Sequence, residues 1–588
     1  MNALVIGPVL LRSVRTPETG TRSAPPAIER LDREQHRYWE RCVGPAVRLP
    51  WREPSTRFVE DRVNGPRNLV LAVMFVIFAV SLSAASDIYI AQNAAGGNTG
   101  ADCADAHAVT YFNSSLNWGW VGQIGPGTTV HLCGAFNAPA GARDYLVFHG
   151  SGASGNVITL LFERGAVLTA PYWSGGVIDV NANSYVVVDG GANGTIQATA
   201  NGTNLANQQD GGGCVISHTG RTATNVTVQN LTCSNLYIDA ALSDNGGEET
   251  YGLDLWNISN LVEQNNTLHD MKWAIRVSYL DGNSFSNLTV ADNNIYNMDH
   301  GVFIGDSNSS DVGAVMSGFY IYGNTVGSMA NWDNALNNNH HDWFHLSAMR
   351  GASQFTNFYL YNNFGSGDIG AYANAGFFSA PDTTSSETGL YVFNNVFVNT
   401  STNHCWANGP VGLSVVGLST VVNNTFVSHA TACKDNGLIY ETGSTGITFK
   451  NNILQNTPNA SMYVTPGTTI SASNYNDFYQ TGAWFYLGNW YSGLTNWQAK
   501  GFDLNSTAGS PQLTGTYHLN GSSSAAWQKG TSLYSMCNGQ PNPGLGALCL
   551  DNAGLARPST GSWDIGAYED SASGSAPAPA TGLTAVVQ

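Results

Sequence analysis

Eight short segments of one pattern recur through the middle of this 588-residue chain, and they limit its fold more than any other feature. Each is an apolar–x–apolar run followed by Asn and then by another apolar residue or Thr. They read VTVQNLT (226–232), LVEQNNTL (261–268), LTVADNNIY (288–296), FYIYGNTV (319–326), FYLYNNF (358–364), LYVFNNVF (390–397), TVVNNTF (420–426) and ITFKNNIL (447–454). Aligning Asn230, Asn266, Asn294, Asn324, Asn363, Asn395, Asn424 and Asn452 gives spacings of 36, 28, 30, 39, 32, 29 and 28 residues. Recurrence at a period of this size signals a stacked architecture in which each unit buries its apolar face only against its neighbours. The segments are short, alternate with period 2, and are separated by Gly/Asn/Asp turns with no helical pattern between them, so a βαβ sheet is excluded. The expected fold is all-β: a right-handed parallel β-helix, a solenoid whose coils stack about 4.8 Å apart. Asn at one corner of every coil tolerates the left-handed backbone conformation, and its amide can bond the amide of the next coil, forming an Asn ladder.

Composition agrees with an exported, turn-rich β protein: charged residues are only 11 % and glycines number 66. The formal charge of −18 is uneven. Residues 1–68 hold 12 Arg and 8 acids, a balance of +4, which leaves −22 on the remainder. Such a surface repels nucleic acid and anionic membranes. The uncharged run LVLAVMFVIFAVSLSAA (69–85), after Arg67, reads as a secretory signal with cleavage near Ala84 or Ala85, or as an N-terminal anchor just long enough to span a bilayer. Expected organisation is therefore an unstructured or mis-assigned extension over 1–67, the signal or anchor over 68–85, the β-helix over 86–570, and a linker with the start of a further module over 571–588. Val63 and Met74 are alternative starts. Eight cysteines follow the apolar run, an even number that implies disulfides in an oxidising compartment. Nearest-neighbour pairing gives Cys103–Cys133, Cys214–Cys233, Cys405–Cys433 and Cys537–Cys549.

With DIYIAQ (87–92) as its opening and WDIGAYE (563–569) as its closure, the repeat resembles the secreted right-handed parallel β-helix, or pectin-lyase-like, superfamily. PATGLTAVVQ (579–588) is similar to the first strand of a fibronectin-type-III-like module. The resemblance implies a secreted or cell-surface protein, expected as a monomer, that meets a polysaccharide. Any membrane contact would run only through an uncleaved N-terminal segment. The architecture hosts lyases, hydrolases, epimerases and adhesins, so activity has to be read from a site. The aspartate constellation of polygalacturonases and the basic consensus segments of pectate lyases are both missing.

The candidate site is NNNHHDWFHL (337–346), which places three histidines and an aspartate within six positions. A second strand in each coil aligns as G252-LDL, A274-IRV, G301-VFI, W343-FHL, G376-FFS and G437-LIY. Inward positions are then Leu253, Ile275, Val302, Phe344, Phe377 and Leu438. Outward ones are Asp254, Arg276, Phe303, His345, Phe378 and Ile439. Lys272, Asp299 with His300, and His341 with Asp342 precede these strands on successive coils. The expected flank joins His345 and His341 as acid and base, with Asp342 as orienter or second carboxyl. Asp299 pairs with Asp342 in a hydrolase-like reading. Arg276 and Lys272 bind substrate charge, unless Arg276 simply pairs with Asp254. Trp343, at another outward position, is the stacking platform, beside Phe303 and His300. The loop SMANWDNALNNN (328–339) forms one wall. A metal is not expected, because His341 and His345 lie about 13 Å apart on an extended strand. Ca²⁺ is entertained only loosely, at GDSNSSD (305–311), where an EF-hand fails because Ser317 occupies the twelfth position. The resemblance implies cleavage of a polysaccharide by β-elimination or hydrolysis, against a non-catalytic adhesin or glycan-binding stalk.

Overall fold

The computed structural model describes residues 87–570, apart from 120–121, 240–248, 280–281, 307–312, 334–339, 350, 433–435, 441–442 and 458. The expected extension, the apolar run over 69–85 and the fibronectin-like start lie outside the described residues, and so does most of GDSNSSD. Among the described residues, no helix is long and apolar enough to cross a membrane.

The fold is the right-handed parallel β-helix. One face is a fourteen-stranded parallel sheet running from the edge strand His107–Ala108, through Asp87–Ala91, to Ile470–Asn474. Two further ladders share long strands at Thr267–Tyr279 and Asn294–Asp306 and form the other faces. Apart from the antiparallel pair Ala483–Tyr486 and Asn489–Tyr491, strands pair in parallel with their equivalents one coil above and below, so inward side chains stack in columns. On the first face, Val130, Leu160, Val188, Val228, Glu263, Val290, Ile321, Leu360, Val392, Val421 and Phe449 form one such column. Glu263 is the one acid in that apolar stack, fully buried, with neither carboxyl oxygen hydrogen-bonded.

The Asn ladder exists, one residue away from its expected position on one coil and absent from another. It runs Asn266, Asn293, Asn324, Asn363, Asn395, Asn424, Asn452, Asn476. The side-chain oxygen of Asn363, for example, accepts from both the backbone N–H and the side-chain amide of Asn324, each at 3.0 Å. The same double bond repeats on the other rungs. Asn294, expected in the ladder, is exposed. Asn230 instead has φ 57° and bonds Asp189. The left-handed positions are the residues just before the ladder: Asn265, Asp292, Gly323, Asn362, Asn394, Asn423 and Asn451. The two roles that the sequence merges in one Asn therefore belong to two adjacent rows.

The outer row is also used. Asn394 donates to the carbonyl of Leu550 and Asn451 to that of Thr531, so the C-terminal arm packs back along the coils. Arg557 fastens it, buried, with bonds to Glu569 at 2.7 Å and Asn394 at 3.0 Å. Trp563, Ile565 and Ala567 of the closing motif are buried there. Disulfides join Cys103–Cys133, Cys214–Cys233 and Cys537–Cys549 as expected. Cys405 is disulfide-bonded too, while Cys433 lies outside the described residues.

Candidate functional site

The strands that carry the site keep the register read from the sequence. Leu253, Ile275, Val302, Phe344 and Phe377 are successive partners and all are buried in the core. Asp254, Arg276, Phe303, His345 and Phe378 form the neighbouring row on the flank. A third row, Tyr251, Trp273, His300 and Asp342, runs beside it.

Between those two flank rows the chain turns a corner, and simple alternation fails. A Cβ on Gly252 would meet the Ala274 carbonyl at 2.3 Å and Met271 Sδ at 2.8 Å, while one on Gly301 would meet the Trp343 carbonyl at 2.4 Å. The small position therefore points inward. Trp343, which occupies it one coil on, is fully buried, donates to the Gly327 carbonyl at 2.9 Å and packs against Phe397 and Trp406. Gly365 makes the room, since a Cβ there would lie 2.4 Å from the indole. The expected stacking platform is thus a core residue, which corrects the assignment of Trp343 to substrate binding.

With both Trp343 and Phe344 turned inward, Asp342 and His345 fall on the same flank although three residues apart. The register shift between His341 and Asp342 leaves Asn374 as the extra residue on the next strand, where its amide reaches Asp342. His340, just ahead of the strand, joins Asp342, and His341 points away. His340 Nε2 lies 3.0 Å from Asp342 Oδ2, His345 Nδ1 lies 3.2 Å from the same oxygen, and His300 Nε2 lies 4.0 Å from it. One ligating atom from each of these four side chains lies within 4.8 Å of the others. None of the three imidazole nitrogens is aligned for a hydrogen bond, and all are shielded from solvent. Asp342 Oδ1 is held separately, by the Ala375 N–H at 2.9 Å and the Asn374 amide at 3.2 Å. His300 stacks on Trp273, with centroids 4.1 Å apart, and His345 stands edge-on to Phe303 and Phe378. His340 is the most accessible of the four, at 19 % side-chain exposure, against 8 % for His345.

His341 does not face this cluster. Its Nδ1 pairs with Asp299 and its Nε2 lies 2.8 Å from Asp333, which itself accepts from the Tyr372 N–H at 3.0 Å and from the Ala371 N–H. Asp299 Oδ2 lies 3.6 Å from His300 Nδ1. Neither His341 nor Asp299 is therefore presented to a substrate. Both buttress His300 from behind, which corrects the expected acid, base and paired-carboxyl roles. Burial opposes charge throughout this network, yet the carboxylates on both its nitrogens push His341 up to about 9. Asp299 stays well below the usual carboxylate range, because His341 and His300 outweigh its burial. Asp342 is held low in the same way by His340 and His345. Burial pulls His345 down to about 4 in spite of Asp342, whereas Asp342 raises His340 against its burial.

The two cations are on the flank but committed. Arg276 clamps Asp254 through Nε at 2.9 Å and through NH2, with its guanidinium 3.8 Å above the Tyr251 ring. Asp254 also contacts His218 at 2.5 Å, and it stays low because Arg276 and His218 overcome its burial. Lys272 is bonded to Glu249 at 2.7 Å. Both cations are buried in ion pairs, so the expected role of binding substrate charge passes to neither; the pairing of Arg276 with Asp254 is the reading that holds. Phe303, half-buried, separates Arg276 from His345 in their row. The expectation of no metal rested on the wrong pair of histidines. His340, given no role in the sequence reading, completes the cluster, and its signal was present as the first His of HHDWFH, two residues before Asp342.

No protein-family model and no curated protein matches the chain. Among solved structures it is similar to a PL6 family alginate lyase at 12 % identity, with a TM-score of 0.35 and coverage of 74 % of this chain and 55 % of that one. It is similar to pectate lyase Pel9A at 14 % identity, with a TM-score of 0.34 and coverage of 83 % and 97 %. A family 28 exopolygalacturonase from Yersinia enterocolitica gives 13 % identity, a TM-score of 0.29 and coverage of 55 % and 72 %. The fold assignment stands on the strand pairing of this chain itself.

Proposed function

We propose that this is an extracellular carbohydrate-active protein that cleaves a polysaccharide, with the flank cluster of His300, His340, Asp342 and His345 as its reacting centre. The observation that carries the reading is the set of buried imidazole nitrogens with no hydrogen-bond partner. Buried polar groups in a scaffold are normally paired, and leaving one unpaired costs roughly 1–3 kcal/mol, so several on one flank point to chemistry rather than support. Disulfides along the coils fit an oxidising, extracellular setting.

β-Elimination suits the centre better than hydrolysis. Two-carboxylate hydrolysis needs both acids turned toward the sugar. Here Asp299 is bound to His341, and Asp342 has Oδ1 fixed by Asn374 and Ala375, with the same Asn374 amide 3.5 Å from Oδ2, so neither acid is turned freely toward a sugar. Imidazoles can accept and return a proton without a second acid. A neutral or esterified glycan fits this surface more easily than a fully ionised polyuronate, given −22 beyond residue 68 and two committed cations.

A second reading, a non-catalytic glycan-binding stalk, is favoured by one feature: three of the four cluster residues are almost fully buried. A polysaccharide panel separates the two, read at 235 nm for unsaturated ends and by reducing-end assay for any scission. The expected result is release of unsaturated product by the parent protein and loss of at least a hundredfold in His345→Ala. Reducing ends without absorbance would replace elimination by hydrolysis. No cleavage of any glycan would leave the stalk, whereas full activity in the variant would remove this cluster from the mechanism.

A further inference from the structure

We infer that His300 Nε2, His340 Nε2, His345 Nδ1 and Asp342 Oδ2 bind one divalent first-row transition ion, for which Zn²⁺ is the natural probe. The inference does not rest on the polysaccharide reading: binding is read without substrate, and a bound ion occupies the nitrogen lone pairs that proton transfer would use, so the metal-bound form is distinct from the eliminating one. Four donors from two adjacent coils converge, and their ligating atoms already lie within 4.8 Å of one another. Tetrahedral bonds of 2.0–2.2 Å set donors about 3.3–3.6 Å apart. The three imidazole nitrogens stand 3.0, 3.2 and 4.0 Å from Asp342 Oδ2, on both sides of that range, so an ion between them requires only small side-chain movements.

A plain ion-pair cluster does not account for the geometry. Salt-bridged imidazoles aim an N–H at an oxygen, and here none of these nitrogens is aligned with Oδ2 or with any other acceptor. His300, His345 and Asp342 are more than nine-tenths buried, so water does not supply the missing partners freely. The surroundings match what metal ligands need behind them: groups that fix orientation, and a dry wall. Asp299, itself braced by His341 and Asp333, lies 3.6 Å from His300 Nδ1, on the side away from the cluster. Asn374 and the Ala375 N–H hold Asp342 mainly by Oδ1, at 3.2 and 2.9 Å, with the Asn374 amide at 3.5 Å from Oδ2, which keeps Oδ2 turned to the imidazoles as a single-point ligand. Trp273, Phe303 and Phe378 wall the imidazoles. Three nitrogens and one oxygen select a borderline ion of the Zn²⁺, Co²⁺ or Ni²⁺ kind; Ca²⁺ takes six to eight oxygens.

The test uses untagged full chain stripped with EDTA and titrated calorimetrically with Zn²⁺ in excess Ca²⁺. We expect one Zn²⁺ per chain with a Kd at or below about a micromolar. Co²⁺ should give the intense visible bands of a four-coordinate site. His340→Ala, which removes the ligand nearest the surface, should weaken Zn²⁺ at least a hundredfold. Asn374→Ala, a positioning change, should weaken it about 10- to 100-fold. His404→Ala, whose imidazole pairs with Asp368 instead, should bind as the parent does. Failure of the parent to bind Zn²⁺ stoichiometrically, equal competition by Ca²⁺, or an aquo-type Co²⁺ spectrum would each overturn the inference. So would parent-like affinity in His340→Ala. The cobalt spectrum of the parent decides the matter even if a variant does not fold.

Discussion

Two buried polar columns climb this β-helix, and they are built to opposite rules. In the interior ladder from Asn266 to Asn476, each amide oxygen from Asn293 onward takes two bonds from the coil before it. Each amide nitrogen up to Asn452 also reaches a carbonyl of that preceding coil. On the flank, His300, His340 and His345 crowd one oxygen of Asp342 without an aligned bond among them. Stacking alone explains the first column, because identical residues on a repeating backbone satisfy one another. Stacking does not explain the second, which gathers three imidazoles from only two coils and leaves them open. A satisfied column is scaffold, whereas an unsatisfied one signals a missing ligand or substrate.

The sharpest way to break the comparison is to unsatisfy the ladder. Asn363→Ala strands two buried donors of Asn324 and removes the bonds from Asn363 to Asn395 and the Ile321 carbonyl. The expected cost is about 3–5 kcal/mol, read by urea denaturation against the parent. A loss under about 1 kcal/mol would mean that the ladder is ornamental.

Glu263 offers the reverse experiment. It interrupts a column of Val and Leu with two unpartnered oxygens, and burial, reinforced by Asp254, raises it well above the usual carboxylate range. Glu263→Leu should stabilise the fold by about 1–3 kcal/mol in the same assay. Destabilisation would show that a polar partner in the core depends on this acid.

Asp477 supplies the pH arm. Burial without any hydrogen-bond partner pushes its carboxyl up to about 8, from an ordinary value near 4. Between those two values the folded chain binds the proton and the unfolded chain does not, so this residue's contribution to stability falls as pH rises through the window. Asp477→Asn should remove roughly 2 kcal/mol of the decline between pH 5 and 6.5, measured as the difference in denaturation free energy. An unchanged slope would place the carboxyl in contact with water.

Much of the scaffold was legible because period-2 alternation and a coil repeat are properties of the backbone. The row from Leu253 to Phe377 followed directly, and so did its neighbour from Asp254 to Phe378. The errors cluster where the chain bends. The pattern points to Asn294 in place of Asn293 because a left-handed residue and a ladder residue sit side by side, and a string of Asn does not say which is which. Trp343 reads as outward from the sequence, because Trp in place of Gly at a corner implies exposure unless Gly365, one coil away, opens the space. The site was found in the right decapeptide, with His300, Asp342 and His345 among its members. Strand alternation through Asp342 brings His340 to the flank and turns His341 away, so these two neighbouring histidines exchange the roles expected of them. Commitments such as Lys272 to Glu249 depend on side chains from different coils, which spacing along the chain does not reveal.

The smallest expected effect is the most telling. His345→Phe keeps a flat ring between Phe303 and Phe378 and removes one unpartnered nitrogen next to Asp342. In EDTA, where a bound cation cannot add its own stabilisation, the change in unfolding free energy should stay within about 1 kcal/mol of zero. The column would then behave as the ladder does not: a buried polar residue that the fold can lose without penalty. A loss matching that of Asn363→Ala would place His345 in the scaffold, and the open nitrogens would need a structural explanation. A near-zero change together with lost Zn²⁺ binding would separate the two columns completely, one serving the stack and the other serving what the stack presents.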